Sequence, residues 1–153
     1  MQARMPNPAF VLPDATVALQ ALGAAIGTAG LSAATIELVN LRASQLNGCS
    51  VCMDGHTRIA KKAGETDERL HTVAAWRDTP YFTDAERAAL ALTEAVTRLD
   101  GVGEAVPDAV WGQATLHYDE RSLAALVLAI ANINMWNRLN VATRQIAAGD
   151  WTS

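Results

Sequence analysis

Residues 33–56 read "AATIELVNLRASQLNGCSVCMDGH". Ile36, Val39, Ala43 and Leu46 recur at i, i+3, i+7 and i+10, the stripe of a helix with one face turned inward. Ser32 has the side chain of an N-cap, and Asn47 with Gly48 ends the run. A second helix starts at the cysteines and runs to "IAKKAG". There Lys61 and Lys62 suit the negative end of the helix dipole and Gly64 suits the position just past the last turn. Helix, glycine break and helix, with no alternating run between them, predict an all-α fold.

The rest of the chain repeats this pattern. A helix is expected over about residues 14–29, opened by Pro13 and Asp14 and closed by Gly30. A short one is expected near "DERLHTVAAW". Thr83 and Glu86 have the spacing of a capping box for a helix through about Leu99. "DGVGEAVP" reads as a loop, "DAVWGQATLHY" as a helix, and Asp119 as the cap of a final helix to about Ala148. "SLAALVLAIANINMW" in that helix is apolar on nearly every side, which places it in the middle of a bundle or at a subunit interface. With 153 residues, half of them hydrophobic, and no linker or repeat, residues 1–153 read as one helical domain. Four tryptophans, Trp76, Trp111, Trp136 and Trp151, supply large apolar bodies to bury.

The charge balance excludes some functions. Twelve basic against sixteen acidic residues give a net charge of −4 with no basic stripe, so nucleic acid is not an expected partner. Residues 16–36 carry no charge, but Gly23, Gly27, Gly30 and Gln20 interrupt them. They read as a helix buried by its neighbours or by another subunit, with no membrane partner. Two cysteines without an export signal indicate a reducing, cytoplasmic location.

Cys49, Cys52 and His56 are the dense point of the chemistry. On a helix, 100° per residue puts Cys52 and His56 within about 60° and 20° of Cys49, so all three share a face. At a helix start, free backbone N–H groups and the positive dipole end stabilise a thiolate. Lowering a thiol pKa from about 8.5 to about 7 raises its ionised fraction more than tenfold at neutral pH. Close spacing lets one sulfur capture a sulfenic acid formed on the other before it is oxidised further. His56 is one turn after Cys52 and can exchange a proton with it, which makes Cys52 the attacking thiol and Cys49 the resolving one.

The segments "ELVNLRASQLNGCSVCMDGH", "WRDTPYFTDAERAALALTEAVT" and "NINMWNRLN" resemble the AhpD-like alkylhydroperoxidase branch of the carboxymuconolactone decarboxylase family, over roughly residues 31–145. The resemblance implies an all-helical bundle assembled as a homotrimer or homohexamer. It implies a peroxidase site of Glu37, Cys49, Cys52 and His56, with Glu37 and His56 relaying protons. It also implies hydroperoxide as substrate and an external dithiol, including lipoyl groups, as electron donor; that chemistry requires no bound metal or organic cofactor. One departure stands out: the family's best-known peroxidases carry a second histidine between the cysteines, where this chain has Val51.

Other readings remain open from the residues alone. The cysteines fit two buried reduced thiols. With His56 as a third ligand they also fit a zinc site in a non-enzymatic assembly module, for which Glu37, His71 or His117 could be the fourth only if folding brings it there. The family resemblance leaves open a further reading, a decarboxylase-type relative acting on a small carbon acid or lactone, which would not need the pair at all. Covalent haem is excluded, because Met53 follows Cys52 where that motif needs histidine. Glu37 alone reads as a solvated or ion-paired helix carboxylate, with Arg42 as the candidate partner. His71 and His117 read as surface residues, Trp136 and Arg138 as packing or contact residues. Asn132, Asn134 and Asn137 read as helix–helix hydrogen bonding rather than as walls of a dithiol pocket.

Overall fold

A computed structural model describes residues 1–99 and 103–147 of the chain. These residues are helical and contain no strand. The order is α1 (Pro8–Val11), α2 (Pro13–Gly27), α3 (Ala33–Asn47), α4 (Ser50–Lys62), α5 (Asp67–Thr72), a 3-10 turn (Val73–Asp78), α6 (Asp84–Thr97), α7 (Asp108–His117) and α8 (Glu120–Thr143).

Local signals set most boundaries. Ser32, Thr66, Thr83 and Asp119 each cap a helix through a side-chain oxygen that accepts from the backbone N–H three residues on. At Thr83 the capping box is complete, Glu86 accepting in return from the Thr83 N–H at 2.8 Å. Gly48 stops α3 in the left-handed region at φ 65°, which favours glycine because an L side chain there meets its own carbonyl.

α3 is the central helix, packed against α4, α6 and α8. Its buried set is therefore wider than a single stripe: Thr35, Leu38, Leu41, Arg42 and Ser44 are buried with Val39 and Ala43. On one side lies a core of Ile26, Leu31, Val39, Leu92, Leu126 and Ile130; on the other lies one of Leu38, Leu41, Leu70, Val73, Trp76 and Leu90. A third cluster joins Ala43, Cys49, Cys52 and Ile133 where α3, α4 and α8 meet.

Several expectations change. α1 is new to the structure: Asn7 caps it, accepting from the Ala9 N–H. Thr143, not Ala148, ends α8, because Arg144 turns left-handed at φ 55°; residue 148 lies outside the described residues. α8 packs against α2, α3 and α6, but its own chain does not cover it all round. It buries one stripe, including Leu123, Leu126, Ile130, Ile133, Asn137 and Asn140, and leaves Leu128 and Val141 exposed. α2 is not buried by its own chain either, since Ile26 alone of its residues is buried and Val17 is 65% exposed. Trp76 is buried and Trp136 half-buried, Trp111 is exposed, and Trp151 lies outside the described residues. Of the "DGVGEAVP" loop, residues 103–107 are non-helical and 100–102 lie outside the described residues. No described helix is long and apolar enough to cross a membrane.

Candidate functional site

The turn at Gly48 reverses the chain so that α4 lies against α3, with the Cys49 N–H donating to the Ser44 carbonyl at 3.0 Å. Cys49 is not in the first helical turn, as its spacing suggested. Its extended backbone (φ −83°, ψ 95°) makes it the N-cap, and its Sγ accepts from the Cys52 N–H at 3.3 Å. Sulfur thus takes the place of the hydroxyl or carboxylate that usually caps a helix, in the region where the dipole favours negative charge. The two sulfurs are bonded to each other.

The same reversal brings Glu37 of α3 to His56 of α4, with Glu37 Oε2 and His56 Nδ1 2.8 Å apart. A carboxylate only accepts, so Nδ1 carries the proton and a neutral ring leaves Nε2 as the acceptor. Arg42 does not pair with Glu37. It donates to Glu94 on α6, 2.7 Å from Nε, so the expected ion-paired role for Glu37 gives way to its contact with His56.

His56 and Cys52 line one cavity of about 440 Å³, walled by Phe10, Val51, Ile133, Trp136 and Ile146, with Asn7, Asn40, Asn132, Asn140 and Gln145 as its polar points. Cys52 is only 2% exposed, so this cavity is how a small molecule would meet it. Its walls are mostly apolar, with Phe10 and Trp136 ring centres 6.1 Å apart. Glu37 borders a second cavity of about 290 Å³ shared with Asn40 and Asn132.

The asparagines of α8 divide in two. Asn134 and Asn137 act as expected: Asn47 Nδ2 donates to both side-chain oxygens at 2.9 Å, and Asn137 Nδ2 donates to Ser44 Oγ at 3.0 Å. This lattice fixes the α3–α4 turn, and so the cysteines, against α8. Asn132 does not follow them. It walls the cavity, and its buried Oδ1 has no hydrogen-bond partner among the described residues. Asn140 also turns to the site, its Nδ2 donating to Cys52 Sγ at 3.2 Å while its Oδ1 accepts from Asn7 Nδ2 at 2.7 Å.

His71 and His117 are exposed. Among the described residues, no group of three or more His, Cys, Asp or Glu side chains is arranged to hold a metal ion. No local signal marks Asn7 and Phe10, which reach the cavity because the N-terminal segment is tied to the end of α8. Arg4 N–H donates to the Thr143 carbonyl at 2.8 Å, and Gln145 Nε2 to the Met5 carbonyl at 2.8 Å. Asn140 was within reach of sequence reasoning, since it follows Asn137 by three positions on one helix.

An all-helical bundle with a Cys-x-x-Cys pair and a Glu–His contact defines a class, and comparison with known proteins agrees. Residues 13–95 match the carboxymuconolactone decarboxylase family model. The chain belongs to that family, as an AhpD-like member. It is 41% identical to the uncharacterized protein YdfG of Bacillus subtilis over 114 residues, 74% of this chain and 76% of that one. It is 38% identical to the alkyl hydroperoxide reductase AhpD of Bradyrhizobium diazoefficiens over 47 residues, 31% of this chain and 26% of that one. Among solved structures, a protein of unknown function from Agrobacterium tumefaciens, provisionally assigned to antioxidant defence as AhpD, superposes with a TM-score of 0.88. It is 32% identical, and the match covers 97% of this chain and 100% of that one.

Proposed function

We propose that the chain is a thiol peroxidase that reduces hydroperoxides through Cys49 and Cys52. The observation that carries this is the bonded sulfur pair whose second member shares a mostly apolar cavity with a histidine held by a carboxylate. In the reduced protein the Cys52 thiolate attacks the terminal oxygen of the hydroperoxide. The O–O bond breaks, and the alcohol leaves with a proton returned by His56, giving a sulfenic acid. Cys49 displaces hydroxide from that sulfur, which leaves as water, and the disulfide closes. Glu37 holds the imidazole in the tautomer that presents Nε2 and steadies the imidazolium between the two proton transfers. Asn132 walls the cavity with a buried, unpartnered Oδ1, which supports a further contact in which that oxygen accepts from the hydroperoxide O–H. An external dithiol of the lipoyl type then reopens the disulfide, and no bound metal or organic cofactor is required.

The reading extends to assembly and location. The exposed apolar residues of α1, α2 and the joint between them, Phe10, Val11, Leu12 and Val17, support a homotrimer or homohexamer that covers them. The reducing cytoplasm supplies the donor. The test is thiol titration of the reduced protein before and after one equivalent of cumene hydroperoxide. Prompt loss of both thiols, abolished in Cys52→Ser, is expected. Loss no faster than that of free cysteine overturns the assignment.

A further inference from the structure

The two cysteines border different spaces. The cavity of about 440 Å³ is lined by Cys52 and not by Cys49. A separate cleft of about 170 Å³ is lined by Gly48, Cys49, Ser50, Val141 and Arg144 and not by Cys52. Val51, Asn140 and Gln145 form the wall between them. Cys49 is 1% exposed and Cys52 2%, so these spaces are the approaches to the pair.

We infer that the dithiol centre is two-sided: the oxidant meets Cys52 from the larger cavity, and the reducing thiol attacks Cys49 from the smaller cleft. This rests on the dithiol reading above and adds the route of the electron donor. Displacement at sulfur runs in line, with the attacking atom, the attacked sulfur and the departing atom in a row. A thiolate attacking Cys49 must therefore come from the side away from Cys52, and a cleft lined by Cys49 and not by Cys52 meets that need. The electron pair of the thiolate forms the new bond to Cys49 Sγ, and the electrons of the disulfide pass to Cys52 Sγ. That departing thiolate receives the Asn140 Nδ2–H and lies in the first turn of α4, both of which favour its leaving. The second thiol of the donor then attacks the mixed disulfide from the same cleft. It frees Cys49 as thiolate and closes the donor's own disulfide, so the donor gives up two electrons and two protons and the protein gains two thiols. On the oxidising side, Cys49 attacks the Cys52 sulfenic acid and hydroxide departs away from it into the cavity, where it takes up, by way of His56, the proton that the Cys49 thiol gives up.

Arg144 is the charged side chain among the residues lining the cleft. It is exposed at the end of α8, so the cleft suits an anionic small dithiol over a neutral one.

The experiment starts from the oxidised full chain and needs no peroxide. After a brief reaction with mercaptoacetate and acid quench, peptide mapping locates the mixed disulfide. An adduct on Cys49 is expected, and one on Cys52 overturns the inference. The half-reactions are then compared. In Val141→Trp, which fills the cleft from an exposed helix position, the ratio of the reduction rate by dithiothreitol to the oxidation rate by cumene hydroperoxide falls about tenfold or more. In Arg144→Gln, reduction by dimercaptosuccinate slows severalfold and reduction by dithiothreitol does not. An unchanged ratio in Val141→Trp, or equal effects on both dithiols in Arg144→Gln, counts against the route. If cumene hydroperoxide fails to react while thiols still add to Cys49, the peroxidase assignment falls and the route of the donor stands.

Discussion

Glu94 and Glu37 are both carboxylates on buried helices, with side chains 9% and 13% exposed, yet they are built into different situations. Glu94 is saturated. Its Oε1 accepts from Arg42 Nε at 2.7 Å and from Trp76 Nε1 at 3.0 Å, and its Oε2 from Arg77 Nη1 at 2.8 Å. All three donors are fixed, and two of them are permanent cations. Glu37 instead meets a partner that can itself gain or lose a proton, and it borders one cavity while His56 borders another. Burial therefore does not separate a structural carboxylate from a functional one. What separates them is whether the partners can change protonation state and whether a small molecule can come near.

The comparison breaks most readily at Glu94. Glu94→Ala leaves Arg42, 8% exposed, without its counter-charge, and loss of one member of a buried pair costs about 3–5 kcal/mol. The urea midpoint should fall accordingly, while the peroxide rate of the protein that remains folded stays close to that of the parent. Glu37→Gln should do the reverse. The amide still accepts from Nδ1, but the negative charge that steadies the imidazolium is gone. Thiol loss with cumene hydroperoxide should slow about 10- to 100-fold with an unmoved urea midpoint, the range typical when the partner that orients a metal-ligating histidine is removed. A stability loss equal to that of Glu94→Ala, with the peroxide rate intact, would reduce Glu37 to a second structural carboxylate. Asn137→Ala should resemble the Glu94 variant at smaller scale. Asn47 and Ser44 each lose a partner, which costs about 1–3 kcal/mol in urea unfolding.

The sequence shows these contrasts unevenly, for a physical reason. Ser32, Thr83 and Asp119 were legible as caps because each acts on a backbone N–H three residues away. The Gly48 break was legible because a positive φ leaves few residue choices. Cys49 lies outside the helix that its spacing suggests because a wheel drawn through a helix start cannot show which residue still has extended backbone. α2 showed its apolar character and not what covers it, since exposure depends on neighbours far along the chain. The Glu37–His56 contact crosses the break, so spacing could not give it; only the family resemblance singled out Glu37. Asn132 and Asn134 have the same side chain two positions apart, about 200° around α8, and so face different surroundings. Asn7 is bound to Asn140 across nearly the whole chain, and nothing local to residue 7 announces it.

The mildest test of the comparison is acid. Burial pushes the Glu94 carboxyl up, but hydrogen bonds from Trp76, Arg77 and Arg42 outweigh it and hold the group below its ordinary value of 4.5. A carboxyl whose pKa is lower folded than unfolded contributes stability that is fully present above the unfolded value. That contribution is lost as pH falls through the folded one. The urea midpoint of the parent should therefore exceed that of Glu94→Gln by a margin that is constant near neutral pH and narrows once the pH drops below about 4.5. Glu86 is also held low: burial raises it, and the Arg69 and Thr83 hydrogen bonds more than reverse that. It loses stability in the same range, but does so in both proteins and cancels from the difference. A margin that stays constant into acid would mean that the Glu94 network is no stronger in the folded chain than water is in the unfolded one. The contrast with Glu37 would then have to rest on access to the cavities alone.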